Sequence, residues 1–114
     1  MQADDWVRIR HMIGAAESVA RFVAGRRRED LDEDEMLCLA LTRAIEIIGE
    51  AASHVSTETQ EALSEIPWKE VIGMRHRLVH AYFDVDADIL WKTAQDAVPT
   101  LLRQLQTIKY AGSQ

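Results

Sequence analysis

The sequence predicts an all-α protein, a bundle of four to five helices, on three observations. Apolar residues recur at steps of three and four over most of the 114 residues. Capping and turn residues separate these periodic segments, and no segment shows the alternating pattern that predicts a strand. The hydrophobic fraction of 47% and charged fraction of 28% are typical of a globular protein, which we expect to be one domain spanning residues 1–114.

The first predicted helix runs from about Asp4 to Ala24. Gly25 is a natural stop for it, and the acidic run at 29–35 follows as a linker and as the negative first turn of the next helix. The stripe that predicts the helix is Trp6, Ile9, Ile13, Ala16, Ala20 and Val23.

The second predicted helix, from about Asp32 to Val55, has two apolar faces. A helix that is apolar on two sides is either central in a bundle or shared with another subunit. One face carries Leu37, Leu41, Ala44, Ile48, Ala51 and Val55. The other carries the smaller set Cys38, Thr42, Ile45, Gly49 and Ala52, against which another helix can approach closely. The polar edge holds Arg43, Glu46, Glu50 and His54.

The middle of the chain predicts two shorter helices. Residues 57–60 read as a capping box that opens a helix ending near Ser64. Pro67 is suited to the first position of the next helix, which we expect to weaken over residues 80–86.

The last predicted helix runs from about Ala87 to Lys109. Asp86 is its predicted N-cap. Pro99 lies inside the helix, where its ring removes one backbone donor, so we expect a bend there.

The net charge of −6 argues at first against nucleic acid as a ligand, because phosphate binding usually shows as excess Lys and Arg. The charge is unevenly spread, however. Six acids lie within residues 29–35, and without them the remaining formal charge is zero. The segment 68–82 carries Lys69, Arg75, His76, Arg77 and His80 against one acid, Glu70. The sequence is therefore compatible with a local cationic site.

We expect the protein to be soluble and cytoplasmic. The longest clean apolar run, residues 37–41, is far shorter than the roughly 20 residues that a membrane helix needs. The N-terminal residues do not resemble an export signal. The single cysteine, Cys38, excludes an intrachain disulfide and is typical of a reducing compartment.

The candidate functional segment is residues 75–82, where polar and titratable side chains interrupt a region that otherwise supplies core residues. On a straight α-helix, five residues turn the chain by about 500°, which leaves Arg75 and His80 roughly 140° apart. The two side chains can therefore meet only if the helix ends, kinks or bulges between them, or if a second chain supplies the partner.

Judged from the residues alone, the side chains of this segment can also have ordinary structural roles. Arg75 can cap helix-end carbonyls, and His80 can be a buried histidine paired with Glu46 or Glu50. His76 and His80, four residues apart, supply two ligands of a zinc site, but the spacing suggests no third. Tyr82 can be an ordinary packed tyrosine.

The pattern Arg-x4-His-x-Tyr, here Arg75, His80 and Tyr82, resembles the signature of the HepT-like toxins of the HEPN superfamily. The resemblance covers most of the chain. His76 stands where the family usually has asparagine, and Ala81 where a polar residue is frequent. The other matching blocks, in the family's order and spacing, are residues 44–52, Ile66-Pro67-Trp68, Gly73-Met74-Arg75, Leu78-Val79-His80, Tyr82-Phe83, Trp91 and Pro99-Thr100-Leu101.

The resemblance implies a HEPN-like bundle with a kinked motif helix and a metal-independent endoribonuclease that uses no cofactor. It implies Arg75 and His80 as catalytic residues of a homodimer whose two motifs face one cleft, with RNA as substrate. His76, Arg77 and Glu46 are then supporting or RNA-binding residues.

The resemblance also implies a partner, an MntA-like nucleotidyltransferase antitoxin for which Tyr82 can be the AMP acceptor. This would be a type VII-like toxin–antitoxin pair. The alternative is a non-catalytic HEPN subunit that binds a nucleotide or supports a partner nucleotidyltransferase. A purely structural helical dimerisation module is the third interpretation.

Overall fold

The computed structural model describes residues 1–81 and 84–108 of the chain, with the backbone alone at positions 80 and 81. Helices dominate it, which confirms the predicted all-α bundle, whereas the single-domain organisation stays a prediction. The elements in order are α1 (Ala3–Val23), α2 (Asp30–Glu33), α3 (Glu35–Ser53), α4 (Thr57–Ala62), α5 (Trp68–Ile72), α6 (Met74–Leu78), β1 (Val79–Ala81), β2 (Asp84–Val85), α7 (Ala87–Lys92), a π-helical turn (Thr93–Ala97) and α8 (Val98–Gln106).

Helix α3 is the central element of the bundle. It packs along α1 on one side and contacts α5 and α6 on another, while α8 also packs on α1. Leu41 and Ile45, one from each predicted apolar face of α3, are both fully buried. Of the two alternatives predicted for a helix with two apolar faces, the structure therefore shows the first, a central position in the bundle.

The ends of α1 and α3 follow from local capping. Gly25 has φ +72°, the left-handed conformation that glycine adopts readily, and ends α1 as predicted. The predicted start of the second long helix is wrong, because Asp34 is the N-cap of α3 and accepts a hydrogen bond from the Leu37 N–H at 3.1 Å. Residues 30–33 form the separate turn α2.

A buried carboxylate joins the start of α1 to the start of α4. The N-cap of α4 is Ser56, one residue before the predicted capping box. Asp5, only 4% exposed, accepts hydrogen bonds from the Ser56 N–H (2.9 Å), the Ser56 hydroxyl (2.7 Å) and the Thr59 hydroxyl (2.6 Å). These hydrogen bonds replace the hydration that the ionised carboxylate loses when it is buried.

The predicted motif helix is interrupted at Gly73 and ends at Leu78, where the chain turns into a hairpin. Val79 pairs with Val85 and Ala81 with Asp84 in an antiparallel register that contains an irregularity. The Asp86 N–H donates to the Leu78 carbonyl at 2.7 Å. The expectation of no strand is therefore wrong, because strands of three and two residues are too short to show an alternating pattern.

The C-terminal helical segment contains a π-helical turn. Its predicted N-cap is confirmed, since Asp86 accepts a hydrogen bond from the Ile89 N–H at 3.0 Å. The π-helical turn lies directly before the α8 turn that carries Pro99, whose missing N–H disturbs the regular ladder. The predicted end at Lys109 lies outside the described residues.

Within the described residues, no helix combines the length and apolar character that crossing a bilayer requires.

The Asp5 cluster predicts acid-dependent stability. Burial raises the pKa of Asp5, but the hydrogen bonds from Thr59 and Ser56 outweigh it and hold that pKa below its ordinary value. At acidic pH the native state therefore binds fewer protons than the unfolded state. The stabilisation of the fold by ionised Asp5 is present above about pH 4 and is lost as the pH falls through the native pKa of Asp5. We expect Asp5→Asn to lower the free energy of unfolding at pH 7 by about 1–3 kcal/mol.

Urea denaturation of the wild type and Asp5→Asn at pH 7 and pH 3 checks this prediction, with the exposed neighbour Asp4→Asn as control. The difference in the free energy of unfolding between the wild type and Asp5→Asn should be smaller at pH 3 than at pH 7. An equal difference at both pH values would contradict the prediction.

Candidate active site

A cleft of about 640 Å³ lies between α3 and the segment that contains α5 and α6. It is the candidate site because it holds Arg75, the first residue of the predicted motif. The other residues that matter for the argument are Arg43, Glu46, Gly49, Glu50 and His76, all of which line the cleft.

Gly49 sets the distance between the two walls of the cleft. A Cβ atom at this position would lie 3.2 Å from the backbone carbonyl oxygens of both Val71 and Ile72. Carbonyl groups near the end of α5 thus approach the backbone of α3 more closely than a side chain would comfortably allow. The predicted close approach against the small face of this helix is confirmed.

Arg75 is held against α3 by an ion pair with Glu46. Its Nε lies 2.6 Å from Glu46 Oε2, and the arginine side chain is 46% exposed. The other carboxylate oxygen, Glu46 Oε1, lies 2.5 Å from Nη1 of Arg43. One carboxylate therefore joins two arginines from two walls of the cleft, and the three side chains together carry one net positive charge.

The two arginines keep Glu46 ionised. The hydrogen bond from Arg43 is the largest influence on the pKa of Glu46, and together with the bond and charge of Arg75 it outweighs partial burial. The pKa of Glu46 consequently lies below its ordinary value. A carboxylate with a lowered pKa is a poor proton acceptor at neutral pH but a good anchor for a guanidinium.

His76 and Arg77 follow Arg75 on α6 but occupy different surroundings. His76 is exposed and lines the same cleft as Arg75. Arg77 lines a separate depression and donates from Nη2 to the Glu70 carbonyl at 3.0 Å. Capping of carbonyls, which the sequence left open for Arg75, is thus the contact that Arg77 makes.

The backbone between Arg75 and His80 is not a continuous helix. Helix α6 ends at Leu78, Val79 is extended with φ −116° and ψ 108°, and His80 lies in β1. The separation of about 140° expected on a straight helix therefore does not apply. The side chain of His80 and the whole of Tyr82 and Phe83 lie outside the described residues, so the catalytic pairing and the modified tyrosine stay predictions.

The remaining acidic residue of the cleft, Glu50, pairs with a histidine on its own helix. Its Oε1 lies 3.3 Å from Nε2 of His54. Among the residues whose side chains are described, no group of three or more His, Cys, Asp or Glu is arranged to hold a metal ion.

Arg43 is the cleft residue that sequence reasoning missed as a site candidate. The available signal was its position three residues before Glu46 on the polar edge of α3, a spacing that places the two side chains on one face. That spacing is common on solvated helix faces, and only the packing of α6 against α3 shows that the pair belongs to the cleft.

Comparison with known proteins identifies the family. The family described as "Ribonuclease HepT-like" matches residues 12–108. A protein of Caldanaerobacter subterraneus subsp. tengcongensis named "Putative RNase" is 38% identical over 100 residues, covering 88% of this chain and 89% of the relative. A "Probable ribonuclease HepT" of Thermococcus cleftensis is 37% identical over 95 residues, covering 83% and 86%.

A third relative, a "Putative RNase" of Methanocaldococcus jannaschii, is 31% identical over 97 residues, covering 85% of this chain and 89% of its own. No solved structure matches the chain. The chain belongs to the HepT-like ribonuclease family, and the resemblance drawn from its motif blocks is confirmed.

The shared carboxylate predicts the titration of Glu46. Its pKa should lie below the ordinary value of 4.5 and should rise in Arg43→Gln and in Arg75→Gln, with the larger rise in Arg43→Gln because that arginine contributes the strongest hydrogen bond. Nuclear magnetic resonance of the Glu46 side-chain carboxyl carbon as a function of pH measures both effects. A titration midpoint unmoved by either substitution would contradict the ion-pair geometry.

Proposed function

We propose that this chain is a metal-independent endoribonuclease that acts as the toxin of a HepT/MntA-type toxin–antitoxin pair. Two lines of support combine. The chain belongs to a ribonuclease family, and Arg75, the first residue of the family motif, lines an open cleft in which an ion pair with Glu46 fixes its position. The position of Arg75 is the observation on which the proposal chiefly rests, because a cation held in an open cleft can bind a phosphodiester.

The proposed chemistry uses the nucleophile that RNA carries. The 2′-hydroxyl attacks the adjacent phosphorus, one imidazole accepts its proton, and a second donor protonates the departing 5′-oxygen. An imidazole can both accept and donate a proton in water, so His80 can serve as acid or base. The products are then a 2′,3′-cyclic phosphate and a 5′-hydroxyl.

Arg75 is proposed to stabilise the charge that develops on the phosphoryl oxygens. Glu46 binds Arg75 at Nε, the guanidinium nitrogen nearest the side-chain stem. The two terminal nitrogens can therefore donate hydrogen bonds to a phosphate while the ion pair with Glu46 is kept. Arg43 and His76 line the same cleft and are proposed to contact the RNA backbone. Arg77, which lies outside the cleft, is assigned at most a peripheral phosphate contact.

The protein is proposed to act as a homodimer. General acid and general base steps at one phosphate need two proton-transferring groups, and each copy carries one motif histidine, His80. Two copies that share a cleft supply both.

The proposed antitoxin is an MntA-like nucleotidyltransferase that transfers AMP to Tyr82. The hydroxyl of Tyr82 would attack the α-phosphorus of ATP and release pyrophosphate. An adenylate two residues from His80 would add a bulky anion beside the catalytic residues and compete with RNA for Arg75.

Substitution of the motif residues tests the nuclease proposal. We expect Arg75→Ala to lower RNA cleavage by about 10²–10³-fold because the phosphoryl charge loses its cation. His80→Ala should lower cleavage by about 10²–10⁴-fold because a proton transfer is lost. Cleavage of a fluorescent RNA by purified protein measures both, with helicity followed by circular dichroism and chelator present throughout.

Two matched variants separate chemistry from loss of charge or of fold. Arg103→Ala and His11→Ala each remove one residue of the same type from exposed positions on α8 and α1, and both should cleave as the wild type does. Full cleavage by Arg75→Ala or His80→Ala, or products that carry a 5′-phosphate, would refute the proposed mechanism.

Intact mass tests the proposed modification. Co-expression with the nucleotidyltransferase should add one or more adenylate units, about 329 Da each by the chemistry of the transfer, to the wild type and none to Tyr82→Phe. The second tyrosine, Tyr110, provides the control, since Tyr110→Phe should still be modified. Adenylate retained by Tyr82→Phe would overturn the assignment.

A non-catalytic nucleotide- or partner-binding subunit is the second candidate. The net charge of −6 and the neutralisation of one cleft arginine by Glu46 favour it. Purified protein that binds nucleotide or nucleotidyltransferase but leaves RNA intact at low salt, where phosphate binding is strongest, would favour it over the nuclease.

A further inference from the structure

The candidate active-site cleft is cationic at one end and acidic at the other. Arg43, Glu46 and Glu50 follow one another on α3 at steps of three and four residues, so they lie on one side of the helix. Arg43 and Arg75 share the carboxylate of Glu46, which leaves that end with one net positive charge. Glu50 lies one turn further along α3, about 6 Å away by the rise of the helix, and brings a negative charge.

The carboxylate of Glu50 is accessible to a ligand. Its side chain is 74% exposed and lines the cleft. Glu50 Oε1 lies 3.3 Å from Nε2 of His54, which is one turn later on the same helix. A carboxylate has about four acceptor sites, so this contact leaves acceptor sites on both oxygens. Glu50 can therefore accept two hydrogen bonds side by side from one ligand.

The charge at each end of the cleft favours a different part of a nucleotide. A phosphate is attracted to the end with Arg43 and Arg75 and is repelled by Glu50. The edge of a base carries N–H groups, which a carboxylate can accept as hydrogen-bond donors. An RNA strand whose phosphates lie at the arginines therefore presents a base to Glu50.

The α5 wall of the cleft suits the flat face of a base. Ile72 lines the cleft with a partly buried apolar side chain, and apolar side chains can hold a base that has left its stack. Gly49 places no side chain between this wall and α3. The cleft volume of about 640 Å³ is within the range of roughly 300–1,000 Å³ that is usual for small-molecule sites. The cleft thus has room for one unpaired nucleotide.

The arrangement of donors distinguishes the four bases at a carboxylate. Guanine presents two adjacent donors, N1–H and the N2 amino group, which match the two oxygens of one carboxylate. Adenine and cytosine each present one amino group beside a ring nitrogen that accepts hydrogen bonds. Uracil presents one N–H between two carbonyl oxygens. Because an ionised carboxylate repels acceptor atoms, guanine is the base that Glu50 should bind most tightly.

We propose that Glu50 binds the edge of an unpaired guanine next to the scissile phosphate, so that the enzyme prefers single-stranded RNA that contains guanine. The inference rests on the proposed function, because it assigns a specificity residue to the proposed ribonuclease. The guanine must be unpaired, since Glu50 takes the edge that otherwise pairs with cytosine. Glu46 is not suited to this role, because its two oxygens already bind Arg43 and Arg75.

Binding of strands that cannot be cleaved tests the inference. The probes are fluorescent 2′-fluoro hexanucleotides, whose 2′ position cannot attack phosphorus. One contains uracil alone, and in the others one uracil is replaced by guanine or by hypoxanthine, which lacks only the N2 amino group of guanine. By fluorescence anisotropy at low salt, the wild type should bind the guanine strand about 10–100-fold more tightly than the uracil strand. It should bind the guanine strand about tenfold more tightly than the hypoxanthine strand.

Glu50→Gln should remove most of this preference, because an amide offers one acceptor oxygen where the carboxylate offers two. The ratio of affinities for the guanine and hypoxanthine strands should fall below about twofold. Each ratio compares two ligands of one variant, so a partial loss of folded protein does not change it. Equal affinity of the wild type for the three strands, or a ratio that Glu50→Gln leaves unchanged, would overturn the inference.

Two control variants should keep the wild-type ratio. His54→Asn removes the neighbour of Glu50 but keeps the carboxylate, so loss of the preference in this variant would contradict direct binding of the base by Glu50. Glu61→Gln makes the same change of side chain at an exposed position on α4, away from the cleft. Loss of the preference in Glu61→Gln would show an effect of total charge and would also contradict the inference.

Cleavage separates this inference from the nuclease proposal. With ordinary RNA strands of the same sequences, kcat/KM for the guanine strand should exceed that for the uracil strand by a factor similar to the ratio of affinities. A wild type whose binding shows a Glu50-dependent preference for guanine but which cleaves no RNA refutes the nuclease and leaves base recognition standing. A wild type that cleaves the two strands equally well refutes base recognition and leaves the nuclease standing.

Discussion

The contact between α3 and the end of α5 at Gly49 controls the geometry of the candidate site. Two backbone carbonyls lie where any side chain at this position would be crowded, at 3.2 Å from its Cβ. Glycine in a helix interior costs roughly 0.5–1 kcal/mol relative to alanine, and here the close approach gives the physical reason for it. One residue, Gly73, separates α5 from α6, so a shift of α5 would move Arg75 relative to Glu46.

The electrostatics of the site are local. An acidic chain holds a cluster of Arg43, Glu46 and Arg75 whose sum is positive, and the lowered pKa of Glu46 keeps that carboxylate in the charged form that binds both arginines. Interactions beyond about 8–10 Å are screened at physiological salt, so charges elsewhere on the chain influence a bound phosphate weakly. The short-range arrangement matters more to an anionic ligand than the total of −6.

Regular and irregular parts of the chain have different roles. Helices α1 and α3 are long, supply half of the buried hydrophobic residues in the described part of the chain, and form the scaffold. The interruption at Gly73, the hairpin of β1 and β2, and the π-helical turn at 93–97 all lie in the C-terminal half, which also carries the motif. Departures from regular helix are common near functional sites, because they direct side chains that a straight helix would separate.

Much of the scaffold could be predicted from the sequence, because periodicity and capping act over a few residues. The stop at Gly25 and the cap at Asp86 are local patterns that the structure confirms. The predicted stripe of the second long helix is buried throughout, whereas Ala20 of the predicted α1 stripe is exposed. The family resemblance came from ordered motif blocks and is confirmed by the comparisons. The start of α3 at Glu35 was mispredicted because several acids compete for the cap, and only the backbone geometry selects Asp34.

Tertiary structure alone decided which polar residues share the cleft. The sequence offered Glu46 as a partner of His80 and placed Arg43 beside Glu46 on one helix face. It could not show that Glu46 binds Arg75, because that contact joins separate elements. Packing at Gly49 brings Arg75 to Glu46, and the end of α6 places Arg77 against a backbone carbonyl instead. The sequence by itself determined the helices and the motif through local preferences. The arrangement of charges in the cleft depended on distances between helices, which no local pattern contains.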